Sequence, residues 1–174
     1  MEEDSELDFV LHVKDALGSI RFWHHSIMLF NGVFFGVYVA SVYKDVGLNK
    51  GSILDKDLTI AGAIGSFFNG SSRIFWASIQ DKVGFRKVYL VLLLIQLVSA
   101  MSLYAAKDQT YLYSMILCLA FLCEGGHFST FPASAVKLYG IQEAGRIFTI
   151  SFFAVPLSSM LGFSLAHFVK NADE

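Results

Sequence analysis

The sequence predicts an all-α membrane protein, a polytopic bundle of about five transmembrane helices. Hydrophobic residues make up 55% of its 174 residues, charged residues make up 16%, and there are only two prolines. Soluble domains carry about 25% charged residues, whereas a helix that crosses a bilayer needs about 20 consecutive apolar residues. The charges lie mainly between apolar runs of about that length, and the mean hydropathy is +0.55. We therefore expect a multi-pass integral membrane protein whose main partner is the lipid bilayer.

Composition also excludes several other classes. The net charge is −2 without a basic tract, so nucleic acid is not an expected partner. Residues 1–8 carry five acidic residues, where a cleavable signal peptide would have a basic and then an apolar region. Cys118 and Cys123 lie about 7.5 Å apart along one predicted helix, too far for a disulfide within it, and we interpret both as buried thiols.

The N-terminal residues 1–21 are predicted to contain a short amphipathic segment. Four aliphatic residues recur there at helical spacing: Val10, Val13, Leu17 and Ile20. Such a segment lies along the membrane surface, although a partly ordered tail remains an open alternative. The C-terminal tail comprises residues 170–174.

The first span is predicted at residues 22–43. Gly32 and Gly36 lie four residues apart in it, a pattern that lets a neighbouring backbone approach closely. His24 and His25 stand at its start and are interpreted as residues at the headgroup level, since adjacent helix positions do not share a face. The segment 44–57 carries three Lys and three Asp and is therefore aqueous.

The second span, residues 58–79, combines apolar residues with a polar stripe. Residues at steps of three or four form one helix face: Gly62, Ser66, Asn69, Arg73, Trp76 or Ala77, and Gln80. We expect this face to contact protein or a cavity rather than lipid.

The remaining spans are predicted at residues 88–103, 111–136 and 147–169. The third is almost entirely aliphatic and is interpreted as structural. The fourth contains Glu124 and His127 near its centre, and the fifth holds Pro156 at mid-depth. Five spans place the two chain ends on opposite sides of the membrane. The short basic turn between the second and third spans favours a cytoplasmic amino end.

The ionisable residues within the spans are the candidates for function. A lone Arg, Lys or Asp at a helix centre costs about 2.5 to 3.5 kcal/mol on insertion scales, so we expect Arg73 and Glu124 to face an interior cavity and each other. Arg binds carboxylates because its planar fork holds both oxygens. Asn69 lies one turn before Arg73, and His127 lies three residues after Glu124. The side chains of Glu124 and His127 can carry or relay a proton. A structural ion pair between two helices is the alternative.

The turn after the second span combines an acid, a glycine and three basic residues. Its members are Asp81, Lys82, Gly84, Arg86 and Lys87. The Asp can face the positive amino end of a helix, and the basic pair can bind acidic groups or lipid phosphates. We expect the turn to act as a conformational latch.

No enzyme is predicted. The sequence shows no nucleophile with a paired base and no phosphate-binding loop, and Glu124 with His127 is too small a set to hold a metal. We therefore expect no cofactor and no metal site.

Two motifs carry a resemblance to a known family. Residues 73–87 resemble the signature loop of the major facilitator superfamily, in which an acid, a basic residue, a Gly and two basic residues link two helices. Phe85 is an additional residue before the basic pair, and Ala77 stands where the family usually has Gly. The run Glu124-Gly-Gly-His-Phe-Ser-Thr-Phe-Pro-Ala, with Leu138-Tyr-Gly and Ala144-Gly-Arg, resembles the tenth helix and following loop of the oxalate/formate antiporter and monocarboxylate carrier branch.

The resemblance implies that the five spans are similar to helices seven to eleven of a twelve-helix carrier. It also implies that residues 1–21, with their amphipathic segment, are the end of the central cytoplasmic linker of that carrier. It implies secondary active transport by alternating access of a small organic anion such as a monocarboxylate, with a proton as a candidate co-substrate. The missing N-terminal six helices or a partner chain would then complete the carrier. A truncated, non-transporting membrane interaction subunit is the alternative.

The resemblance also implies roles for individual residues. Arg73 matches a basic residue that contacts the substrate carboxylate. Asn69 stands where some monocarboxylate carriers have an acid, which leaves proton coupling at that position open. The oxalate carriers use a Lys in the eleventh helix, and the fifth span lacks one at mid-depth, which favours a singly charged substrate.

Overall fold

The computed structural model describes residues 13–172, with side chains described for residues 14–168. The described chain is helical throughout except for short connections, and contains no strand. Its helices are α1 (Val13–Gly18), α2 (Ile20–Asp45), α3 (Asp55–Val83), α4 (Phe85–Leu103), α5 (Thr110–Ser151) and α6 (Ala154–Ala172), and a π-helical turn at Val46–Lys50 follows α2. The all-α prediction is confirmed. Most of the predicted amphipathic linker lies outside the described residues.

Length and composition identify the membrane-crossing segments. Within the described chain, three stretches are long and apolar enough to cross a bilayer: Ile20–Lys50, Phe85–Leu103 and Thr110–Phe168. Helix α3, with 29 residues, has the length to cross, but it is more polar because it carries the predicted stripe. The expectation of a multi-pass membrane protein is confirmed.

Helix α5 is the centre of the bundle. It packs against α2, α3 and α4, while α6 packs mainly against α2. Its contact with α3 is fixed by hydrogen bonds that side chains of α3 donate to backbone carbonyls of α5. Ser72 Oγ and Trp76 Nε1 donate to the Leu122 carbonyl at 3.0 and 3.2 Å, and Gln80 Nε2 donates to the Thr130 carbonyl at 3.1 Å. The polar face of α3 therefore fixes α3 against α5.

The polar stripe of α3 divides between two environments. Gly62, Trp76 and Gln80 are buried, whereas Ser66 and Arg73 lie at the edge of this face and remain exposed. The buried face also includes Ser72, which the predicted stripe omitted. The difference arises because the buried face follows the course of α5 along α3.

The last two predicted spans have different limits in the structure. Helix α5 continues through residues 137–146, which the sequence assigned to a connection, and bends at Gly140, whose φ of 76° interrupts the helical backbone. The predicted span 147–169 is divided at Phe152–Phe153 between the end of α5 and α6. Tyr139 and Ile147 lie in one buried cluster with Ala16 of α1, so this segment is packed into the bundle and is not an exposed connection.

Both cysteines are free. Cys123 is fully buried, as predicted, whereas Cys118 is only half-buried. The exposed part of Cys118 faces an apolar groove between α3 and α5.

Candidate substrate cavity

A cavity of about 440 Å³ lies between α2, α3, α5 and α6. Its lining is mostly apolar, with one cation, one acid and a few small polar groups. The lining residues are Gly36, Val37, Ala40, Ser41, Asn69, Arg73, Phe121, Glu124, Phe128, Ser159 and Phe163. The volume and the small number of polar groups are typical of sites for small molecules.

Arg73 is held in the cavity by two neighbours. Its Nη2 donates to Asn69 Oδ1 at 3.3 Å, one helical turn earlier on α3. Its guanidinium carbon lies 5.3 Å from the centre of the Phe128 ring on α5, within the range of a cation–π contact. A guanidinium has five N–H donors, so the remaining donors of Arg73 can bind an anion.

Glu124 lies on the same cavity but is almost entirely buried, with 5% of its surface exposed. Its Oε2 has no hydrogen-bond partner. Among the described residues, no ion pair within 4.0 Å joins it to Arg73. The structure therefore brings the two predicted residues to one cavity without pairing them.

His127 lies outside this cavity, although it was predicted with the binding residues. It is fully buried, and its Nε2 donates to Gln96 Oε1 of α4 at 3.1 Å. Gln96 Nε2 in turn donates to the Gly32 carbonyl of α2 at 2.9 Å. The histidine thus connects three helices through Gln96, which the sequence had assigned to a purely structural span.

Several lining residues were not predicted from the sequence. Phe128 follows Glu124 by four residues, so helical spacing alone was a usable signal for its position. Phe163 of α6 and Phe121 of α5 gave no such signal, because their place on the cavity depends on how distant helices pack. Within the described chain, no group of three or more His, Cys, Asp or Glu is arranged to hold a metal.

The predicted latch residues lie at one end of α3 and the start of α4. Gly84 ends α3 with a φ of 87°, a left-handed conformation that glycine adopts without a steric cost. Asp81 Oδ1 lies 3.9 Å from Lys137 Nζ of α5, and both side chains are largely exposed. Within residues 13–172, Lys82, Arg86 and Lys87 are exposed and form no recorded ion pair.

The chain matches a known protein family over most of its length. The model of the Major Facilitator Superfamily matches residues 5–169. The chain belongs to the major facilitator superfamily. The resemblance to the superfamily that residues 73–87 suggested is therefore confirmed.

Individual proteins of known name are also similar to this chain. Apicoplast pyruvate carrier 1 of Toxoplasma gondii is 26% identical over 94% of this chain and 30% of its own length. The oxalate:formate antiporter of Oxalobacter formigenes is 26% identical over 85% of this chain and 35% of its own. Apicoplast pyruvate carrier 2 of Toxoplasma gondii is 32% identical over 47% of this chain and 13% of its own. The chain thus spans about a third or less of the length of these relatives.

Proposed function

We propose that this chain forms part of a secondary active transporter for a small organic monocarboxylate. The observation that carries the proposal is the cavity in which Arg73 lies between Asn69 and Phe128 and keeps N–H donors available for an anion. The names of the similar proteins, two pyruvate carriers and an oxalate:formate antiporter, support an organic anion as substrate. Alternating access between two halves would move the anion across the membrane.

Arg73 is the proposed anchor of the substrate carboxylate. Asn69 holds the guanidinium from one side by the 3.3 Å hydrogen bond, and the Phe128 ring covers one of its faces. These two contacts limit the rotation of a long side chain, which reduces the entropy lost when the anion binds. The free edge of the guanidinium then meets the carboxylate with paired hydrogen bonds.

Glu124 is the proposed proton-handling residue. Burying an unpaired charge is far more costly than burying a neutral group, and Oε2 of Glu124 is buried without a partner. Uptake of a proton by Glu124 would therefore accompany this conformation. His127 lies one turn further along α5 and outside the cavity, so we assign it to helix packing rather than to substrate contact.

The charge of the lining favours a singly charged substrate. Arg73 is the one cation among the described lining residues, and Glu124 is the one acid. A monocarboxylate pairs with one guanidinium, whereas a second carboxylate would meet apolar side chains such as Phe121 and Phe163. The proposed substrate class is therefore a small monocarboxylate with an apolar remainder.

The loop from Asp81 to Lys87 is the proposed latch. Its ion pair with Lys137 joins the end of α3 to α5 shortly before the bend of α5 at Gly140, and both helices line the cavity. Breaking this contact would change the relative stability of the two access states, while leaving the cavity residues in place.

A second candidate function rests on the length of the chain. Since it spans about a third or less of its relatives, it would need the missing N-terminal six helices or a partner chain to enclose a substrate. A non-transporting membrane interaction subunit is the alternative. An antibody against the 44–57 segment would measure the mass of the native product: a band at 19.3 kDa favours the subunit, and one more than twice as large favours the carrier.

The transport proposal is tested by substituting Arg73 in the complete native product, reconstituted in proteoliposomes and assayed with radiolabelled pyruvate. A hydrogen bond to a charged group contributes about 1.5 to 3 kcal/mol, so Arg73→Gln should weaken transport by roughly ten- to 150-fold. Arg146→Gln is the matched control, because Arg146 is exposed and pairs only at 3.8 Å with Glu143. Equal transport by both variants would refute the assignment of Arg73.

A further inference from the structure

Two glycines of α2 make room for two polar side chains of α5. A methyl group added at Gly32 would lie 2.8 Å from Nδ1 and 3.0 Å from Cε1 of His127. One added at Gly36 would overlap the Glu124 carboxyl group, with the Oε2 atom too close for any normal contact. The Gly32–Gly36 pair, predicted to admit a neighbouring backbone, instead provides space for these side chains.

The spaces beside Gly32 and Gly36 have different surroundings. Gly36 and Glu124 both line the cavity that holds Arg73, whereas Gly32 faces His127 and gives its carbonyl to Gln96 in the core. The space beside Gly36 is also the one in which Oε2 of Glu124 lies buried and without a partner. Gly36 therefore determines where the carboxyl group of the cavity can lie.

The position of that carboxyl group matters because the guanidinium of Arg73 can form paired hydrogen bonds with only one carboxylate at a time. A Glu124 carboxylate displaced into the cavity would meet the same guanidinium donors as a substrate carboxylate. An intramolecular group competes at a high effective concentration, so even an incomplete displacement would weaken substrate binding. Among the described residues no ion pair within 4.0 Å joins Glu124 to Arg73, so the Glu124 carboxyl group does not occupy the guanidinium donors.

We propose that Gly36 is an affinity-determining residue, which holds the Glu124 carboxyl group aside so that Arg73 stays open to the substrate anion. Gly36 acts through Glu124 and is a positioning residue. The inference rests on the proposed role of Arg73 as carboxylate anchor. It adds that Glu124 can compete with the substrate carboxylate for Arg73, and that Gly36 prevents this competition because it has no side chain.

The test measures the dissociation constant of radiolabelled pyruvate by equilibrium binding to the purified complete carrier. Gly36→Ala should raise this constant about tenfold or more. Gly36→Ala combined with Glu124→Gln should return it close to the wild-type value, because glutamine has the same size but carries no charge to pair with Arg73. Gly32→Ala is the matched control: it crowds His127 instead, and should lower the yield of folded carrier without changing the dissociation constant.

Several outcomes would overturn the inference. If Glu124→Ala restores binding in the Gly36→Ala background and Glu124→Gln does not, the defect is steric and no competition exists. If Gly32→Ala raises the dissociation constant as much as Gly36→Ala does, the effect is one of general packing. Failure of the proposed function is separate, since Arg73→Gln would then bind pyruvate as the wild type does.

A measurement on the wild type covers the case in which Gly36→Ala does not fold. Infrared difference spectroscopy, with Glu124→Gln as the reference, would identify the carboxyl signal of Glu124. A neutral carboxyl group in the absence of pyruvate supports the inference. An ionised carboxylate whose signal shifts in Arg73→Gln would show that the two residues already pair, and would overturn it.

Discussion

Replacing Gly125 by alanine should separate the two helices on which the cavity depends. A methyl group at Gly125 would overlap the Asn69 carbonyl oxygen and Ser72 Oγ, and would lie 3.0 Å from the Asn69 carbonyl carbon. The Asn69 carbonyl belongs to the backbone and has no rotamer that would relieve the overlap, so α3 must move. Asn69 carries the hydrogen bond to Arg73, and the displacement therefore reaches the proposed substrate anchor as well as the helix interface.

The expected loss of stability follows from two contributions. Overpacking of a close contact costs about 1 to 3 kcal/mol. The hydrogen bonds that Ser72 and Trp76 donate to the Leu122 carbonyl lie next to the displaced contact, and interhelical hydrogen bonds in membranes average about 0.6 kcal/mol each. Together these give about 2 to 4 kcal/mol for Gly125→Ala, without counting any loss at Gln80 further along α3.

The assay is unfolding of the purified complete carrier in mixed micelles, followed by circular dichroism as denaturing detergent is added. Gly70→Ala is the matched control, because a methyl group at this helical glycine meets nothing within 4 Å. The control should be neutral or slightly stabilising, since alanine favours helices more than glycine does. If Gly125→Ala unfolds at the same detergent fraction as Gly70→Ala, the close contact between α3 and α5 does not exist as described.

Two further predictions concern the latch and the buried histidine. Asp81→Asn should change the accessibility of a cysteine placed at Ala40 to a thiol reagent by up to about fivefold, since an exposed ion pair contributes about 1 kcal/mol or less. The double variant Asp81→Lys with Lys137→Asp should restore the wild-type rate of cysteine labelling. If the labelling rate is the same in the wild type, in Asp81→Asn and in the double variant, the latch is excluded. Gln96→Leu should lower stability by about 1 to 3 kcal/mol in the same detergent assay, because Nε2 of His127 loses its buried acceptor. Adding His127→Phe should recover part of this loss, and a neutral Gln96→Leu would contradict the hydrogen-bonded connection.

The local features of the chain were predictable from sequence because their energies are local. Long apolar runs determine membrane helices, since a backbone in lipid must satisfy its own hydrogen bonds. The spacing of Asn69 and Arg73 places them on one helix face, and the observed 3.3 Å hydrogen bond follows from it. The charged turn between the second and third spans was likewise predicted, and Gly84 within it has a positive φ that few other residues adopt.

The resemblance to the superfamily was also available from sequence, through the charged turn at Asp81 to Lys87 and the run from Glu124. It gave the family and the order of the helices. It did not give the limits of the later helices, since Tyr139 and Ile147 are buried in one cluster with residues of α1 and α2, and a hydropathy profile does not contain such contacts.

Only the tertiary structure decided which polar residues share the cavity. Glu124 and His127 lie three residues apart on one helix, so the sequence treats them alike, yet one lines the cavity and the other is bound to Gln96 in the core. The sequence also could not distinguish the roles of Gly32 and Gly36. Each of these outcomes depends on side chains from helices far apart in the chain, and burial and hydrogen bonding between distant segments are settled only when the helices pack.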